Sequence, residues 1–435
     1  MKIRFRAGAA LILGICIILS IYIIRANRPS GPERAAGRAL PLKNPAGSGW
    51  SRWRGPSLNG ISEESDWDTG FAAKPLKIKW KINIGAGFSN LSISGDLIYT
   101  MGFDKETSKN TVYCLKSATG EEKWKYSYLT SPLIDPFQGP RSTPVLDEGR
   151  LYTFGQNGEC LCNDAATGKF IWNRYLTFAA VNPPRALAAS PYIQGDLLLI
   201  NAYKSGLALN KRTGNIIWKS EGTTGNNSTP VPYSHKGNDC IALFGQWFLY
   251  GIEPESGKTF WTYPWKTQFG VNAADPAVYG SRLFISSGYT DGCALVDLSG
   301  ERPVTLWKNR NLNAHIASPV ICGDYVYGID GDAGRDAKLV CLDLRNGQVR
   351  WKSDRTGCGN FIIAAGCIIM VSETGDLLVA EATPEKFKPL GKQKKALPPI
   401  CLTSPVLYRS CLYLRNSKGD ILSIDVAGKA DSSGS

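Results

Sequence analysis

Asp164-Ala-Ala-Thr-Gly-Lys-Phe-Ile-Trp172 is the stretch on which the fold turns. Its first half reads as a tight hairpin turn, with a polar opener and with Gly168 supplying the positive φ such a turn requires. Its second half is a short strand that ends on an indole. The phrase is rewritten along the chain: Lys116-Ser-Ala-Thr-Gly120 stands before Trp124, Asn210-Lys-Arg-Thr-Gly214 before Trp218, Glu253-Pro-Glu-Ser-Gly257 before Trp261 and Asp343-Leu-Arg-Asn-Gly347 before Trp351. Trp80 and Trp307 keep the beat without the full phrase, so seven tryptophans follow one another at intervals of 43–48 residues. A period of that length, built of short strands, marks a repeat architecture whose single unit cannot bury its own apolar faces.

The unit ending at Trp172 holds four runs: Ser142-Thr-Pro-Val145, Arg150-Leu-Tyr-Thr-Phe-Gly155, Cys160-Leu-Cys-Asn-Asp164 and Lys169-Phe-Ile-Trp172. Rich in β-branched and aromatic residues and separated by turns, they read as a four-stranded antiparallel meander. The first run recurs as Ala189-Ser-Pro191, Ser228-Thr-Pro230, Ala274-Asp-Pro276, Ala317-Ser-Pro319 and Thr403-Ser-Pro405, with proline at a strand start where its missing N–H costs nothing. Fourth-strand segments fall at eight places, the last near residue 388, where Phe387 or Leu390 stands in place of tryptophan. Triplets of the first three strands also number eight, so the chain opens with a lone fourth strand over 77–84 and closes with three strands ending over 421–426. Completing one blade from both ends removes the open edge. The expectation is an all-β, eight-bladed β-propeller of four-stranded antiparallel blades.

The phrase ending at Trp172 resembles the Ala-x-Asp-x-x-Thr-Gly-Lys-x-x-Trp docking motif of the PQQ-like, quinoprotein alcohol dehydrogenase-like propeller superfamily, over about residues 76–427. Trp50-Ser-Arg-Trp-Arg-Gly-Pro-Ser-Leu-Asn-Gly-Ile-Ser62 and Gly139-Pro-Arg-Ser-Thr-Pro144 are similar to a narrower family of secreted or membrane-anchored PQQ-repeat proteins of planctomycete-type bacteria, many of them described as BamB-like. That resemblance implies a scaffold for protein partners in the cell envelope, in outer-membrane protein assembly. The wider superfamily implies an alternative, alcohol oxidation by PQQ with Ca²⁺, held on the axis beneath a disulfide of adjacent cysteines. This chain has no Cys-Cys pair, so the expectation is no cofactor and no catalytic residue, with PQQ and Ca²⁺ as the alternative.

The net charge of +13 is uneven: residues 1–48 carry eight Lys/Arg against one Glu. The remaining charge is interspersed, so no clustered basic face calls for nucleic acid. Basic residues flank an apolar run over 7–24, about 27 Å as a helix, which is enough to span a bilayer with snorkelling flanks. No small-x-small cleavage site follows it. The expected organisation is a signal anchor, or a cleaved signal peptide, over 1–28; a disordered linker over 29–49; an N-terminal strap over 50–75; the propeller over 76–428; and a disordered tail over 429–435. The wheel would be monomeric and extracytoplasmic, on a single-pass anchor or secreted. Eleven cysteines outside the leader are an odd number for a fully paired exported protein; Cys322 with Cys341 and Cys401 with Cys411 are candidate bridges beside a reading of buried free thiols.

Residues that open the first strands converge on one mouth of the channel: Arg141, Arg185, Asn227, Asn272, Asp275, His315, Asn360 and Thr403. Guanidiniums, amides and an imidazole suit a peptide, an anion or a sugar, or else hold channel water. A sugar- or anion-binding sensor is therefore a third expectation. Asp330-Gly-Asp-Ala-Gly-Arg-Asp336 has carboxylates at alternate positions but no distal Glu, so it reads as a solvated turn and not as a calcium loop. Trp80, Trp124, Trp172, Trp218, Trp261, Trp307 and Trp351, with Gly120, Gly168, Gly214, Gly257 and Gly347, are the expected docking set between blades.

Overall fold

The described residues form eight sheets, seven of four strands and one of five. The computed structural model describes residues 49–133, 137–177, 187–222, 227–332 and 336–428; the expected anchor, the linker up to residue 48, the tail over 429–435 and Arg185 lie outside them. Blades 1 to 7 span Ser92–Leu129, Val145–Tyr175, Tyr192–Lys219, Val231–Pro264, Ala277–Asn309, Val320–Arg355 and Gly359–Gln393. Blade 8 joins Val406–Tyr408, Cys411–Arg415 and Asp420–Asp425 to the outermost strand Lys77–Asn83, pairing Trp80 with Ser423 and Ile82 with Ile421. The wheel is thus sealed by its own two ends, as the strand count requires. No helix of the described residues is long and apolar enough to cross a membrane.

The repeated phrase has a local cause. Asp164 Oδ1 accepts from the Ala166 and Thr167 amides at 3.1 and 2.9 Å and from the Thr167 hydroxyl at 2.7 Å, and Asn210 holds Arg212 and Thr213 in the same way. An Asx side chain at the turn's opening therefore satisfies amides that the hairpin leaves unpaired. One residue before each indole the fourth strand carries a bulge, as between Phe170 and Trp172 or Ile216 and Trp218. The bulge turns the indole off the strand's own alternation and toward the neighbouring blade.

Docking runs from each blade to the next. The Trp124 ring lies over Gly168, where a Cβ would come within 2.5 Å of it, and Trp124 Nε1 donates to the Ala165 carbonyl at 3.1 Å. Trp80 on Gly120, Trp172 on Gly214, Trp218 on Gly257 and Trp307 on Gly347 repeat the arrangement, and their ring nitrogens donate to Ser117, Lys211, Pro254 and Leu344. Trp351 donates to Thr383 of blade 7. Trp261 faces the longer turn of blade 5 and turns its N–H to the Tyr233 hydroxyl instead. Beneath the indoles the third strand carries small residues, Cys114, Cys162 and Cys341 among them. This explains the cysteine count as packing: all eleven cysteines of the described residues are free thiols, and neither Cys322–Cys341 nor Cys401–Cys411 is bridged.

Blade 7 departs from the expected substitution. The register that places Trp172 opposite Cys162 places Gly391, and neither Phe387 nor Leu390, at the indole's position. The 3-10 turn Phe71–Ala73 fills the space: a Cβ on Gly391 would come within 2.4 Å of the Ala73 nitrogen, and Gln393 Nε2 donates to the Ala72 and Lys74 carbonyls. Phe71 is buried among residues of blades 7 and 8.

Candidate functional site at the channel

Antiparallel connectivity sets two faces. Turns between first and second strands lie on one; connections between blades, and turns between second and third strands, lie on the other, the mouth. The segment from Gly49 onward crosses the first face. Its Trp50 carbonyl accepts from Ile93 of blade 1, its Ser51 carbonyl from Leu146 of blade 2 and its Gly60 carbonyl from Ile363 of blade 7, and Ile61–Ser62 pairs in parallel with Ile363–Ala364. Open edges of innermost strands are thereby covered.

The Ser/Thr-Pro phrases build the channel wall. The Thr143 amide donates to Ser190 Oγ (2.9 Å), the Ser190 amide to Thr229 Oγ1 (3.3 Å), the Thr229 amide to Asp275 Oδ1 (2.6 Å) and the Asp275 amide to Ser318 Oγ (2.9 Å). The phrases at Ser190, Thr229 and Asp275 each donate from the backbone and accept on the side chain, with Thr143 as the first donor and Ser318 as the last acceptor, which stitches blades 2 to 6 around the axis. Asp275 is the one carboxylate in this ring, and its second oxygen accepts from Trp53 Nε1 at 2.6 Å, with Arg54 Nη1 at 3.9 Å. The strap therefore enters the channel. Arg54 also donates to the Pro319 carbonyl at 2.6 Å. Burial pushes the Asp275 carboxyl up, opposed by Arg54, and burial lowers Arg54, opposed by Asp275.

The other expected mouth residues divide by what they touch. Asn272 donates to the Gly245 carbonyl at 2.8 Å and accepts from Ser287 Oγ at 2.6 Å, tying blade 4 to blade 5. Asn360 donates to the Leu402 carbonyl and accepts from the Phe361 amide, while Thr403 donates to the Arg415 carbonyl at 2.8 Å. These are buried structural bonds. Arg141 lies half-buried with its guanidinium 5.9 Å from the Phe88 ring and donates to the Phe137 carbonyl. Asn227 is half-buried at the start of blade 4. His315 Nδ1 sits 3.3 Å from Asp332 Oδ1, and its ring meets Tyr289 edge-on at 4.6 Å.

Two features escape sequence reasoning. The first is an aromatic run on the mouth face: Trp247 and Phe269 are 43% and 53% exposed, Phe269 meets Tyr289 at 4.8 Å, and Tyr289 meets His315. A Cβ on Gly270 would come within 3.3 Å of the Trp247 ring, so the loop carrying Phe269 packs against it. The second is Arg415, the end of the second strand of blade 8, which is fully buried and whose pKa burial lowers to about 9. Its only sequence signal is a lone arginine closing Cys411-Leu-Tyr-Leu-Arg415. Among the described residues no three His, Cys, Asp or Glu side chains come together as a cation would require, and residues 333–335 of the Asp-rich turn lie outside the description. At blades 2 to 6 the channel wall spends polar atoms of its Ser/Thr-Pro phrases on blade-to-blade bonds.

Residues 108–353 match the family model described as outer membrane protein assembly factor BamB. BamB of Yersinia pestis is 24% identical over 298 residues, 63% of this chain and 72% of its own length. BamB of Nitrosomonas eutropha is 28% identical over 239 residues, covering 51% of this chain and 53% of that relative. The crystal structure of BamB from Moraxella catarrhalis superposes with a TM-score of 0.59 at 14% identity, over 81% of this chain and all of that one. Quinohemoprotein alcohol dehydrogenase from Comamonas testosteroni gives 0.62 at 12% identity, over 89% and 82%. At such identities these structures share the fold alone.

Proposed function

The chain belongs to the family of the outer membrane protein assembly factor BamB, and from that membership we propose an extracytoplasmic scaffold that holds protein partners on the mouth face of its wheel. Its place is in the assembly of outer-membrane proteins. The apolar run over 7–24 supports a tether in the membrane, with the wheel beyond it. The observation that carries the binding role is the aromatic run at blades 4 to 6. Rigid aromatic side chains left exposed on packed loops supply contact area at little entropic cost, which is how protein interfaces are anchored. The polar wall of the channel supports binding over catalysis, because Asn272, Asp275 and Thr229 side chains already hold neighbouring blades together. We propose that it works without PQQ and without a metal.

Photocrosslinkers placed at Phe269 and Trp247 of the full chain, in native membranes, test this. Both should capture the same outer-membrane assembly component, and a crosslinker at Ile217 on the outer rim should not. Capture of nothing from the mouth face, or equal capture from Ile217, would remove the docking surface. Alcohol oxidation on adding PQQ, Ca²⁺ and an artificial electron acceptor would replace the reading with an enzymatic one.

A further inference from the structure

The outermost strand of blade 1, Glu122–Leu129, is eight residues long, against four to seven in the other blades, and its extra length lies beyond the indole. By strand alternation Tyr126 and Tyr128 share the side that Trp124 turns toward blade 2. Both rings are held: Phe170 of blade 2 stacks on Tyr126 at 5.9 Å, and Asn110 Nδ2 donates to the Tyr128 hydroxyl at 3.3 Å. Across the seam the outermost strand of blade 2 ends on Asn173-Arg174-Tyr175, with Tyr175 61% exposed. Between the two strands lies a groove of about 320 Å³, lined by these tyrosines. That is the size of a small-ligand site.

The half-buried side of the groove presents acceptors. Glu159 takes the Thr130 hydroxyl on Oε1 and the Asn157 amide on Oε2, the latter at 2.9 Å, and each carboxylate oxygen keeps a second lone pair. Asn157 spends both side-chain hydrogens, on Thr130 Oγ1 at 2.9 Å and on the Ser131 carbonyl at 2.7 Å, which leaves its Oδ1 for a ligand. A Cβ on Gly155 would come within 2.4 Å of Glu159 Oε2 and 2.6 Å of the Tyr128 hydroxyl, so carboxylate and phenol stand side by side over bare backbone. Arg174, the one cation of the lining, is committed to blade 3: Nε donates to the Gly214 carbonyl at 3.0 Å and Nη2 to Asn215 Oδ1 at 3.1 Å. A carboxylate with no uncommitted cation turns anions away. An apolar anchor from a peptide would leave the acceptors unpaired. A neutral sugar matches both halves, because its hydroxyls donate and its C–H faces lie against flat rings. We propose that this seam between blades 1 and 2 is a binding site for a neutral saccharide, with Tyr126 and Tyr175 against a sugar ring and Glu159 and Asn157 accepting from its hydroxyls. Asn173, exposed on the same strand as Tyr175, supplies amide hydrogens to the outer hydroxyls. The site goes beyond the scaffold role and does not depend on it.

Thermal unfolding of the full chain, held in a detergent without a sugar headgroup, reads the site, because a ligand bound only to the folded state raises the melting temperature. Cellotriose, maltotriose and chitotriose are the probes, with trialanine and choline as the peptide and cation alternatives. At least one trisaccharide should give a saturable rise, and the other two probes none. Y175A, which removes an exposed ring at a strand end, should weaken that binding about tenfold, while Y175F keeps most of it. N173A should weaken it as well and serves as a second variant if Y175A does not fold. F260A, an exposed aromatic on the outermost strand of blade 4, should leave it unchanged. The proposal is overturned if no trisaccharide gives a saturable rise, if trialanine or choline raises the melting temperature instead, or if Y175A and N173A respond like the natural chain.

Discussion

Two glycines of blade 2 separate what the backbone demands from what the neighbouring blade demands. Gly149 and Gly168 have nearly the same φ, +72° and +74°. A Cβ on Gly149 meets nothing within 4 Å, whereas one on Gly168 would lie 2.5 and 2.6 Å from the Trp124 ring. Gly149→Ala therefore costs the left-handed penalty alone, about 1–2 kcal/mol, partly offset by about 0.4–1 kcal/mol from the stiffer unfolded chain. Gly168→Ala adds an overpacking cost of about 1–3 kcal/mol, since the indole is rigid and its N–H is held by Ala165. The expected difference between the two variants is about 2 kcal/mol, the size of one inter-blade contact. Urea unfolding followed by circular dichroism measures both, and combining G168A with W124L should recover most of the added loss, because the clash then has no partner. Equal costs for the two variants, within about 0.5 kcal/mol, would mean that glycine is required here by turn geometry only, and that blade docking does not use it.

Asp275→Ala strands Arg54 without its buried partner and should lower stability by about 3–5 kcal/mol, while D275A combined with R54M recovers part of the loss; thermal melts of the four proteins decide it. Asp343, paired by two Nη2 and Nε contacts with Arg345, has its carboxyl held below its usual 3.8 by those bonds. Its contribution is fully present above 3.8 and is lost as pH falls from there through the lowered folded value, so Asp343→Asn should lower stability at neutral pH, leave it nearly unchanged in strong acid, and thereby flatten the acid limb of a stability-against-pH curve.

Blade number, the strand count within each blade and the closure by both termini were legible because each rests on residue types repeated at fixed spacing. Tryptophan, glycine and the Asx opener have stereochemical jobs that few other residues perform, so their period survives in the sequence. Contacts made once leave no period. Trp53 reaches Asp275 across 222 residues, and only a carboxylate standing where sister phrases carry Ser or Thr could have flagged it. Asn272, Asn360 and Thr403 read as channel-mouth groups because polarity near an axis looks alike whether it faces a ligand or a neighbouring carbonyl. Gly391 was hidden by the bulge, which shifts the fourth strand by one residue and makes Leu390 look like the aligned position.

The place where the repeat fails is where the strap is spent. Between most blades an indole bridges the seam; between blades 7 and 8 the position is Gly391, and Phe71 with its turn lies there instead, edge-on to Trp67 at 6.2 Å. Phe71 is 6% exposed and packs in the cluster that joins Leu377 and Val379 of blade 7 to Leu407 and Leu412 of blade 8. Phe71→Ala should therefore behave as a core truncation of about 3–5 kcal/mol, although the residue belongs to no blade. Its signature is spatial. Hydrogen exchange should accelerate first in Leu377–Glu381 and Pro389–Gln393, next to the emptied seam, while Leu207–Asn210 and Asn238–Phe244 keep their protection. Uniform acceleration around the wheel would mean that the seam is held by closure of blade 8 alone, and that the strap merely lies on it.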